Sequence, residues 1–332
     1  MSAVALLPDP TRPLDHATAE AAFDDILDGR VSDEAIADFL LTMTTRDETS
    51  AEIAAAARAL RHRMIPIAAP PNAIDVCGTG GDGAHSLNIS TAVAIVAAAC
   101  GVPVAKHGNR AASSRAGAAD TLEALGLDLS IASAAAERSL ADIGIAFLFA
   151  QTHHPSLGRL AHVRKAIGRR TIFNLLGPMA NPAGVTRQLI GVARVDYLPT
   201  VASALDLLGV RSAMIVSGEE SLDELSIAGP SRIVRLGECG RGEEIVTPED
   251  AGIARHGLES IRGGDAAYNA AALRRLLMGE HGPYRDAVLL NTAAALIVAG
   301  EVSTWEDGVE EAAEAIDKGL ANALLDCWIA FR

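Results

Sequence analysis

Short apolar runs alternate with helix-like segments through much of the 332-residue chain, and this alternation restricts the possible folds more than any other pattern. An apolar run at residues 73–77 leads through a glycine-rich loop into a helix-like segment at 91–100. A second run, at 102–105, leads through a basic loop into a predicted helix at about 118–125. Strand, loop and helix in this order are the units of a parallel sheet. We therefore predict an α/β fold with a mostly parallel central sheet.

The alternation resumes later in the chain and is preceded by a region of a different kind. A further strand, helix and strand are predicted at residues 188–193, 198–208 and 212–216. The N-terminal region instead favours short helices at residues 18–27, 32–43 and 50–60, with Ser32, Thr45 and Thr49 near their starts. A proline-rich stretch ends that pattern. We therefore predict a small helical domain at 1–71, joined by a later helical segment near 156–182, and a large α/β domain at 72–332.

Composition excludes several classes of protein. The 28 Lys and Arg against 42 Asp and Glu give a net charge of −14, and aromatic residues make up only 3%. Both values argue against nucleic-acid binding. The four cysteines lie far apart, which argues against a zinc ribbon or a disulfide framework. No signal peptide or bilayer-length apolar segment is evident. We expect a soluble, cytoplasmic protein with no nucleic-acid or membrane partner.

The first loop after a predicted strand, residues 78–83, is called the glycine loop. It contains four glycines in six residues and leads through Asn88, Ile89 and Ser90 into the next helix. Glycines let the backbone approach a phosphate, and N–H groups at a helix start point toward an anion. The alternative is a tight turn without a ligand. The loop fits neither the Walker pattern nor GxGxxG.

The second loop, residues 106–115, is called the basic loop. Its cationic and polar side chains are Lys106, His107, Asn109, Arg110, Ser113, Ser114 and Arg115. A cationic loop directly after a buried strand is unusual in an acidic protein, and its natural ligand is a second phosphate. The alternative is a solvated surface loop whose serines cap a helix.

The third loop, residues 217–224, is called the acidic loop. It contains Glu219, Glu220, Asp223 and Glu224. Carboxylates near two anion-binding loops would repel the ligand unless a divalent cation lay between them, and Mg²⁺ suits such oxygen ligands. A solvated acidic turn is the alternative. Because loops after parallel strands gather at one sheet edge, the three loops together predict a Mg–diphosphate ligand. Phosphoribosyl diphosphate would fit, and so would a nucleotide.

The chain resembles the anthranilate phosphoribosyltransferase family over most of its length. The motifs that carry the resemblance are Gly78-Thr79-Gly80-Gly81-Asp82, Asn88-Ile89-Ser90-Thr91, Lys106-His107-Gly108-Asn109-Arg110, Asn174-Leu175-Leu176-Gly177-Pro178, Asp223-Glu224, Gly263-Gly264-Asp265 with Asn269, and Asn291-Thr292-Ala293-Ala294. The resemblance implies a small helical domain that forms a homodimer contact and a large α/β domain. It also implies transfer of a phosphoribosyl group from 5-phosphoribosyl 1-diphosphate to anthranilate, the second step of tryptophan synthesis from chorismate.

The resemblance also implies roles for individual residues. Phosphoribosyl diphosphate would be bound by Gly78, Gly81, Asp82, Ser86, Asn88, Ile89, Ser90, Thr91, Lys106, His107, Gly108, Asn109, Arg110, Ala111, Ala112, Ser113, Ser114 and Ala118. Mg²⁺, as two ions of which one travels with the diphosphate, would be held by Ser90, Asp223 and Glu224. Anthranilate would be contacted by Gly78, His107, Asn109, His154, Arg164 and Pro178. The residues expected to act in catalysis are Lys106, Asn109 and Arg164.

Two positions depart from the family pattern. Members usually have His-Gly at the start of the acidic loop, where this chain has Ser217-Gly218, so the loop's conformation is in question. Ala118 stands where a serine is common, which removes one hydroxyl contact.

His153 and His154 favour a loop role over metal binding, since no cysteine or carboxylate lies at a supporting spacing. Two other functions stay open: a pyrimidine-nucleoside phosphorylase, and a non-catalytic nucleic-acid-binding homologue.

Overall fold

A computed structural model describes residues 5–111 and 115–332. Three helices open the chain: α1 (His16–Leu27), α2 (Asp33–Thr45) and α3 (Ser50–Arg61). Each starts after a side chain that caps its first turn, namely Asp15, Ser32 and Thr49. Such side chains accept hydrogen bonds from N–H groups that the helix itself leaves unpaired.

A mixed sheet forms the centre of the molecule. Its strands are β1 (Ile74–Gly78), β2 (Val104–Gly108), β3 (Ile145–Phe149), β4 (Arg187–Gly191), β5 (Ser212–Gly218), β6 (Ser231–Gly237) and β7 (Gly242–Val246). Within the described residues the strand order is β3-β2-β1-β4-β5-β6-β7. Strands β1 to β5 are parallel, and β6 and β7 add an antiparallel edge. The predicted fold class is confirmed.

Helices cover both faces of this sheet. They are α4 (Ile89–Ala99), α5 (Ala118–Ala124), α6 (Leu129–Ala134), α7 (Ala136–Ile143), α8 (Ala150–His153), α9 (Pro155–Gly158), α10 (Ala161–Ile167), α11 (Leu176–Met179), α12 (Leu198–Leu207), α13 (Ala266–Leu277), α14 (Pro283–Ala299), α15 (Trp305–Asp317) and α16 (Leu320–Ala330). Short 3₁₀ turns lie at Ile172–Asn174, Val195–Tyr197, Pro248–Ala251 and Leu258–Ile261. Among the residues described, no helix is both long and apolar enough to span a membrane.

The two faces of the sheet belong to different hydrophobic cores. In β4 and β5, Leu189 and Met214 pack into a core shared with α4, α14 and α15. Ile190 and Ile215, one residue further along, pack into the core shared with α1, α2, α3 and α12. Alternate residues of a strand point to opposite faces, so near-continuous apolar strands are what a sheet covered on both sides requires.

The predicted elements are found with small shifts at their ends. The apolar run predicted at 102–105 is the start of β2, which continues through Lys106 and His107 to Gly108. The placement of Thr45 near a helix start is wrong. Thr45 is the last residue of α2, and its hydroxyl donates to the Leu41 carbonyl, while Thr49 caps α3 together with Glu52.

The strand order creates a crevice at one sheet edge. From β1 the chain continues through β2 and β3 on one side, whereas β4 and β5 lie on the other. Loops after β1 and β4 therefore separate, and ligands of open α/β sheets bind outside the carboxyl ends of strands at such a point. The glycine, basic and acidic loops follow β1, β2 and β5, at this same edge.

Candidate active site at the switch point of the sheet

The acidic loop packs into the crevice between β1 and β4. Gly78 and Gly191 are paired neighbours at the ends of these strands. A Cβ added to Gly78 would lie 2.2 Å from Oδ2 of Asp223, and one added to Gly191 would lie 1.6 Å from the Asp223 carbonyl oxygen. At Gly191 the close atoms are backbone, so only glycine fits there, whereas a side chain at Gly78 would displace the Asp223 carboxylate. Because both strand ends lack a side chain, Asp223 can contact the edge of the sheet.

The glycine loop is tied to the same carboxylate. The Gly80 N–H donates to Oδ2 of Asp223 at 2.6 Å, and the Thr79 N–H donates to the Gly191 carbonyl at 2.9 Å. Gly80, Gly81 and Gly83 have positive φ angles, which other residues rarely adopt. The glycine content of this loop therefore serves a real conformational need.

Lys106 lies beneath the start of α4. Lys106 is buried, with only 2% of its surface exposed. Its ammonium group donates to the Val76 carbonyl at 2.7 Å and to Oγ of Ser90 at 3.2 Å. The Ser90 N–H in turn donates to Oε1 of Glu224 at 3.2 Å. Cation, hydroxyl and carboxylate therefore meet at one helix N-terminus.

Asp223 and Glu224 carry negative charge that nearby cations compensate only in part. Burial and the nearby Asp82 carboxylate raise the pKa of Asp223. Burial and Asp223 raise the pKa of Glu224, while Lys106 opposes that rise. A divalent cation would relieve this repulsion, and the serine hydroxyl and carboxylates offer the hard oxygen donors that Mg²⁺ prefers. Among described residues no group of three or more His, Cys, Asp and Glu forms a metal site. Mg²⁺ commonly needs only one or two carboxylates when phosphates supply the rest.

The departure at Ser217 does not prevent this placement. Ser217 is buried in β5, and the loop closes through a bond from the Gly218 N–H to the Leu222 carbonyl at 2.9 Å. Behind the loop, Asn291 of α14 exchanges two hydrogen bonds with the backbone of Leu225, at 2.9 and 3.0 Å. The buried amide thus fixes the chain directly after Glu224.

Asn88 holds the entrance to α4 together. Its side-chain oxygen accepts from Thr121 at 2.6 Å and from Asn269 at 2.8 Å, and its amide group donates to the Ala116 carbonyl. The Tyr284 hydroxyl donates to the Asn88 carbonyl at 3.1 Å. With both ends of its side chain engaged, Asn88 joins three parts of the chain around the helix start.

A histidine cluster forms another part of the site. Nδ1 of His107 lies 2.8 Å from the Gly177 carbonyl oxygen, so Nδ1 carries the proton and donates. The rings of His107 and His154 are 5.1 Å apart. Burial lowers the pKa of His107 to about 4 and that of His154 to about 3. Both imidazoles are therefore neutral at physiological pH. Pro178, next to Gly177, is buried.

The basic loop divides into engaged and exposed side chains. Arg110 forms ion pairs with Asp120 and Glu123 of α5, so in this conformation its guanidinium faces acids of the protein. Oδ1 of Asn109 accepts from the Arg110 N–H at 2.8 Å, and Asn109 itself is exposed. The predicted residues Ala112, Ser113 and Ser114 lie outside the described residues.

Arg164 lies on α10, a separate helix from these loops. Its guanidinium carbon is 5.9 Å from the ring centroid of Phe173, and burial lowers its pKa. Within residues 5–111 and 115–332 the guanidinium makes no hydrogen bond or ion pair, and so none with His107 or Asn109. Among these residues no hydrogen bond therefore links Arg164 to the histidine cluster.

The remaining predicted residues lie around the glycine loop and α4. Ile89 and Thr91 are buried in the first turn of α4, and Ala118 begins α5 behind Gly108. Ser86 pairs with Arg262 in an isolated antiparallel bridge. The Ala111 N–H donates to Asp120 at 2.9 Å.

Sequence reasoning missed several residues that contact these groups, and Gly191, Asp75 and Arg170 are three of them. Gly191 could be found only from the β1–β4 register, because one glycine ending a strand is not distinctive. Asp75, fully buried in β1, accepts from the His107 N–H at 3.1 Å. An aspartate within an apolar run was the available signal. Arg170 donates to the Gly80 carbonyl at 2.6 Å, and in the sequence it is only one of several basic residues between 164 and 170.

A helical bundle, an α/β domain and a crevice suited to phosphates at the carboxyl ends of its strands are the features of one class of glycosyl transferase. The model of the glycosyl transferase family helical bundle domain matches residues 9–64, and that of the same family's a/b domain matches residues 70–322. The anthranilate phosphoribosyltransferase of Novosphingobium aromaticivorans is 65% identical over 98% of each chain. These matches favour a transferase over the phosphorylase and nucleic-acid-binding alternatives.

Solved structures agree with this assignment. The anthranilate phosphoribosyltransferase of Thermus thermophilus matches with a TM-score of 0.92 and 42% identity, over 97% of this chain and 96% of that one. The Saccharomyces cerevisiae enzyme, solved in complex with PRPP and Mg, matches with a TM-score of 0.87 and 28% identity, over 96% and 93%. The chain therefore belongs to the anthranilate phosphoribosyltransferase family.

Proposed function

We infer that this protein transfers the phosphoribosyl group of 5-phosphoribosyl 1-diphosphate to anthranilate, giving N-(5-phosphoribosyl)anthranilate and diphosphate. This is the second step of tryptophan biosynthesis from chorismate. The observation that carries the inference is the meeting of Asp223, the glycine loop and Lys106 at the switch point of a sheet whose family relatives are anthranilate phosphoribosyltransferases. The site offers both the anion-binding backbone and the carboxylates that a metal–diphosphate requires.

We propose that phosphoribosyl diphosphate binds across the glycine loop, the start of α4 and the basic loop. Ser90, Asp223 and Glu224 would hold Mg²⁺, with two ions in the working complex and one of them arriving with the diphosphate. The yeast relative was solved with PRPP and Mg, which supports this reading. Bound Mg²⁺ would neutralise charge on the leaving diphosphate.

The chain's own residues would act mainly by positioning. Lys106 adds positive charge beneath the helix start where the phosphates would lie, and Ser90 is held by both Lys106 and Glu224. We expect diphosphate to leave from C1 of the ribose through a dissociative, oxocarbenium-like transition state. Fixed donors around the departing oxygens stabilise such a state without having to reorganise.

The acceptor side requires little acid–base chemistry. The aromatic amine of anthranilate is uncharged at neutral pH, so it can attack without a strong general base. We propose that His107, His154 and Pro178 line the path of anthranilate, with Gly78 and Asn109 at its amine. Arg164 would pair with the carboxylate as a two-pronged donor. The yeast relative has also been solved with 4-fluoroanthranilate.

We further propose a cytoplasmic homodimer in which the helical unit at 1–71, with the segment near 156–182, forms the contact between subunits. Residues 72–332 would form the unit that binds phosphoribosyl diphosphate. The packing of α10 against α2 and of α11 against α3 supports grouping these segments together.

The reaction is tested by following the loss of anthranilate fluorescence when the protein meets phosphoribosyl diphosphate. We expect a decay that requires both the diphosphate substrate and Mg²⁺. Release of diphosphate should match the anthranilate consumed one for one, which separates transfer from quenching by binding. A folded protein that leaves the fluorescence unchanged would refute the proposed function.

A further inference from the structure

Arg170 links the segment after α10 to the glycine loop. Its Nη2 donates to the Gly80 carbonyl at 2.6 Å and to Oγ1 of Thr79 at 3.3 Å. The guanidinium also lies flat against the next residue, since a Cβ placed on Gly81 would be 3.4 Å from both its Nε and its central carbon. One side chain thus contacts three consecutive residues of the loop.

The backbone that carries Arg170 is firmly anchored. The next residue, Thr171, donates its N–H to Oδ1 of Asn174 at 3.1 Å and so begins the 3₁₀ turn. Ile172 and Phe173 in that turn are 0% and 5% exposed and belong to the core shared with the N-terminal helices. The arginine therefore extends from a rigid base toward a loop in which four of the six residues are glycine.

The glycine loop needs such a contact. Gly80, Gly81 and Gly83 adopt positive φ angles, and a chain rich in glycine loses much conformational freedom when it is ordered. Any ligand that binds the loop in one conformation must overcome that cost. A side chain that already holds two loop oxygens reduces it before the ligand arrives.

The contact also orients the Gly80 peptide toward the acidic loop. While Arg170 binds the carbonyl oxygen of Gly80, the N–H of the same residue donates to Oδ2 of Asp223 at 2.6 Å. A guanidinium, a peptide group and a carboxylate thus form a chain of hydrogen bonds across the crevice. Charge-assisted bonds at both ends favour one orientation of the loop.

We propose that Arg170 is a positioning residue that pre-orders the glycine loop for phosphoribosyl diphosphate. This inference rests on the proposed function for its choice of ligand. Arg170 acts through the loop backbone, in contrast to Arg164, which is assigned to the carboxylate of the other substrate. Its loss should therefore weaken one substrate selectively and loosen one loop.

The test compares Arg170→Ala with Arg169→Ala and Arg170→Lys. Arg169 is exposed, carries the same charge, and makes no hydrogen bond or ion pair with the described residues, so it is a matched control. We expect Arg170→Ala to raise KM for phosphoribosyl diphosphate roughly tenfold, because both hydrogen bonds that order the loop are lost. KM for anthranilate and both values in Arg169→Ala should stay within about twofold, as for surface substitutions. Lysine can reach one oxygen only and should give an intermediate value.

A second measurement needs no turnover. Amide hydrogen exchange of the ligand-free proteins should be faster at the glycine loop in Arg170→Ala, and unchanged in α4. Equal exchange and equal KM in Arg170→Ala and Arg169→Ala would overturn the proposal, as would a rise in KM confined to anthranilate. A wild-type protein without turnover would instead refute the proposed function. The exchange comparison would still decide whether Arg170 orders the loop.

Discussion

The carboxylate cluster and the histidine cluster of the crevice are both buried, yet their charges are handled in opposite ways. Asp223 and Glu224 are acids whose pKa values burial raises. His107 and His154 are bases whose pKa values burial lowers. The carboxylate cluster packs against the backbone of Gly78 and Gly191, and its charge suits a cation. The histidine cluster is a neutral aromatic surface that suits a planar ring.

The two clusters therefore have opposite effects on stability as the pH changes. Asp223 and Glu224 bind protons more readily in the folded state, so in the metal-free protein their contribution decreases as the pH rises above about 4. His107 and His154 bind protons more readily when unfolded. Their contribution decreases as the pH falls from about 6.5 toward 4. The carboxylates suit the side of the site proposed for the charged phosphoribosyl diphosphate and its metal. The neutral imidazoles suit the side proposed for the anthranilate ring.

The largest effect is expected when the carboxylates are removed. Asp223→Ala combined with Glu224→Ala should reduce Mg²⁺-dependent turnover by roughly a hundredfold or more, because metal stabilisation of the leaving group is worth several kcal/mol. Turnover is measured against Mg²⁺ concentration. The exposed pair Glu219→Ala with Glu220→Ala changes the same charge on the same loop and is the control. Equal turnover in both variants would remove the metal assignment.

The next effect, on stability rather than on turnover, is expected at the end of β4, against which Asp223 packs. Gly191→Ala would bring a methyl group to 1.6 Å from the Asp223 carbonyl oxygen, so the acidic loop must move. We expect the free energy of unfolding in urea to fall by about 3 kcal/mol, the upper range for an overpacked site. Gly158→Ala, with nothing within 4 Å of the added atom, is the comparison. Similar stability in both would mean that the close fit at Gly191 has little energetic weight.

On the acceptor side, Arg164→Ala should raise KM for anthranilate about tenfold while leaving KM for phosphoribosyl diphosphate near its wild-type value, since one charge-assisted pair is lost. Steady-state kinetics with each substrate varied in turn provides both constants. Lys165→Ala, an exposed neighbour on the same helix, controls for charge. A loss confined to phosphoribosyl diphosphate would place Arg164 on the other side of the crevice.

The smallest effect is expected in the pH dependence of stability. His154→Gln should decrease the slope of the unfolding free energy between pH 4 and 6.5 by about 1 kcal/mol per pH unit, because one proton fewer is taken up on unfolding. Urea titrations at several pH values measure this slope. The control is His62→Gln, at a position whose side chain is 67% exposed. An unchanged slope in His154→Gln would show that this imidazole is not held neutral by burial.

Sequence reasoning identified the three loops because their residue types are unusual where they stand. Four glycines between a strand and a helix, cations after a buried strand, and adjacent acids each indicate a ligand locally. It did not find Arg170 or Gly191, because each is ordinary within its own segment. Arg110 illustrates the same limit, since its pairing with Asp120 and Glu123 depends on where α5 lies.

The sequence by itself determined the mostly parallel α/β architecture, the three loops and the family, because these depend on periodicity and local residue chemistry. Only the tertiary structure decided which strand ends touch Asp223, which helix start receives Lys106, and which arginine holds the glycine loop. These contacts join residues as far apart as Gly80 and Asp223. Such distances along the chain are closed by strand order and packing, which no local pattern records.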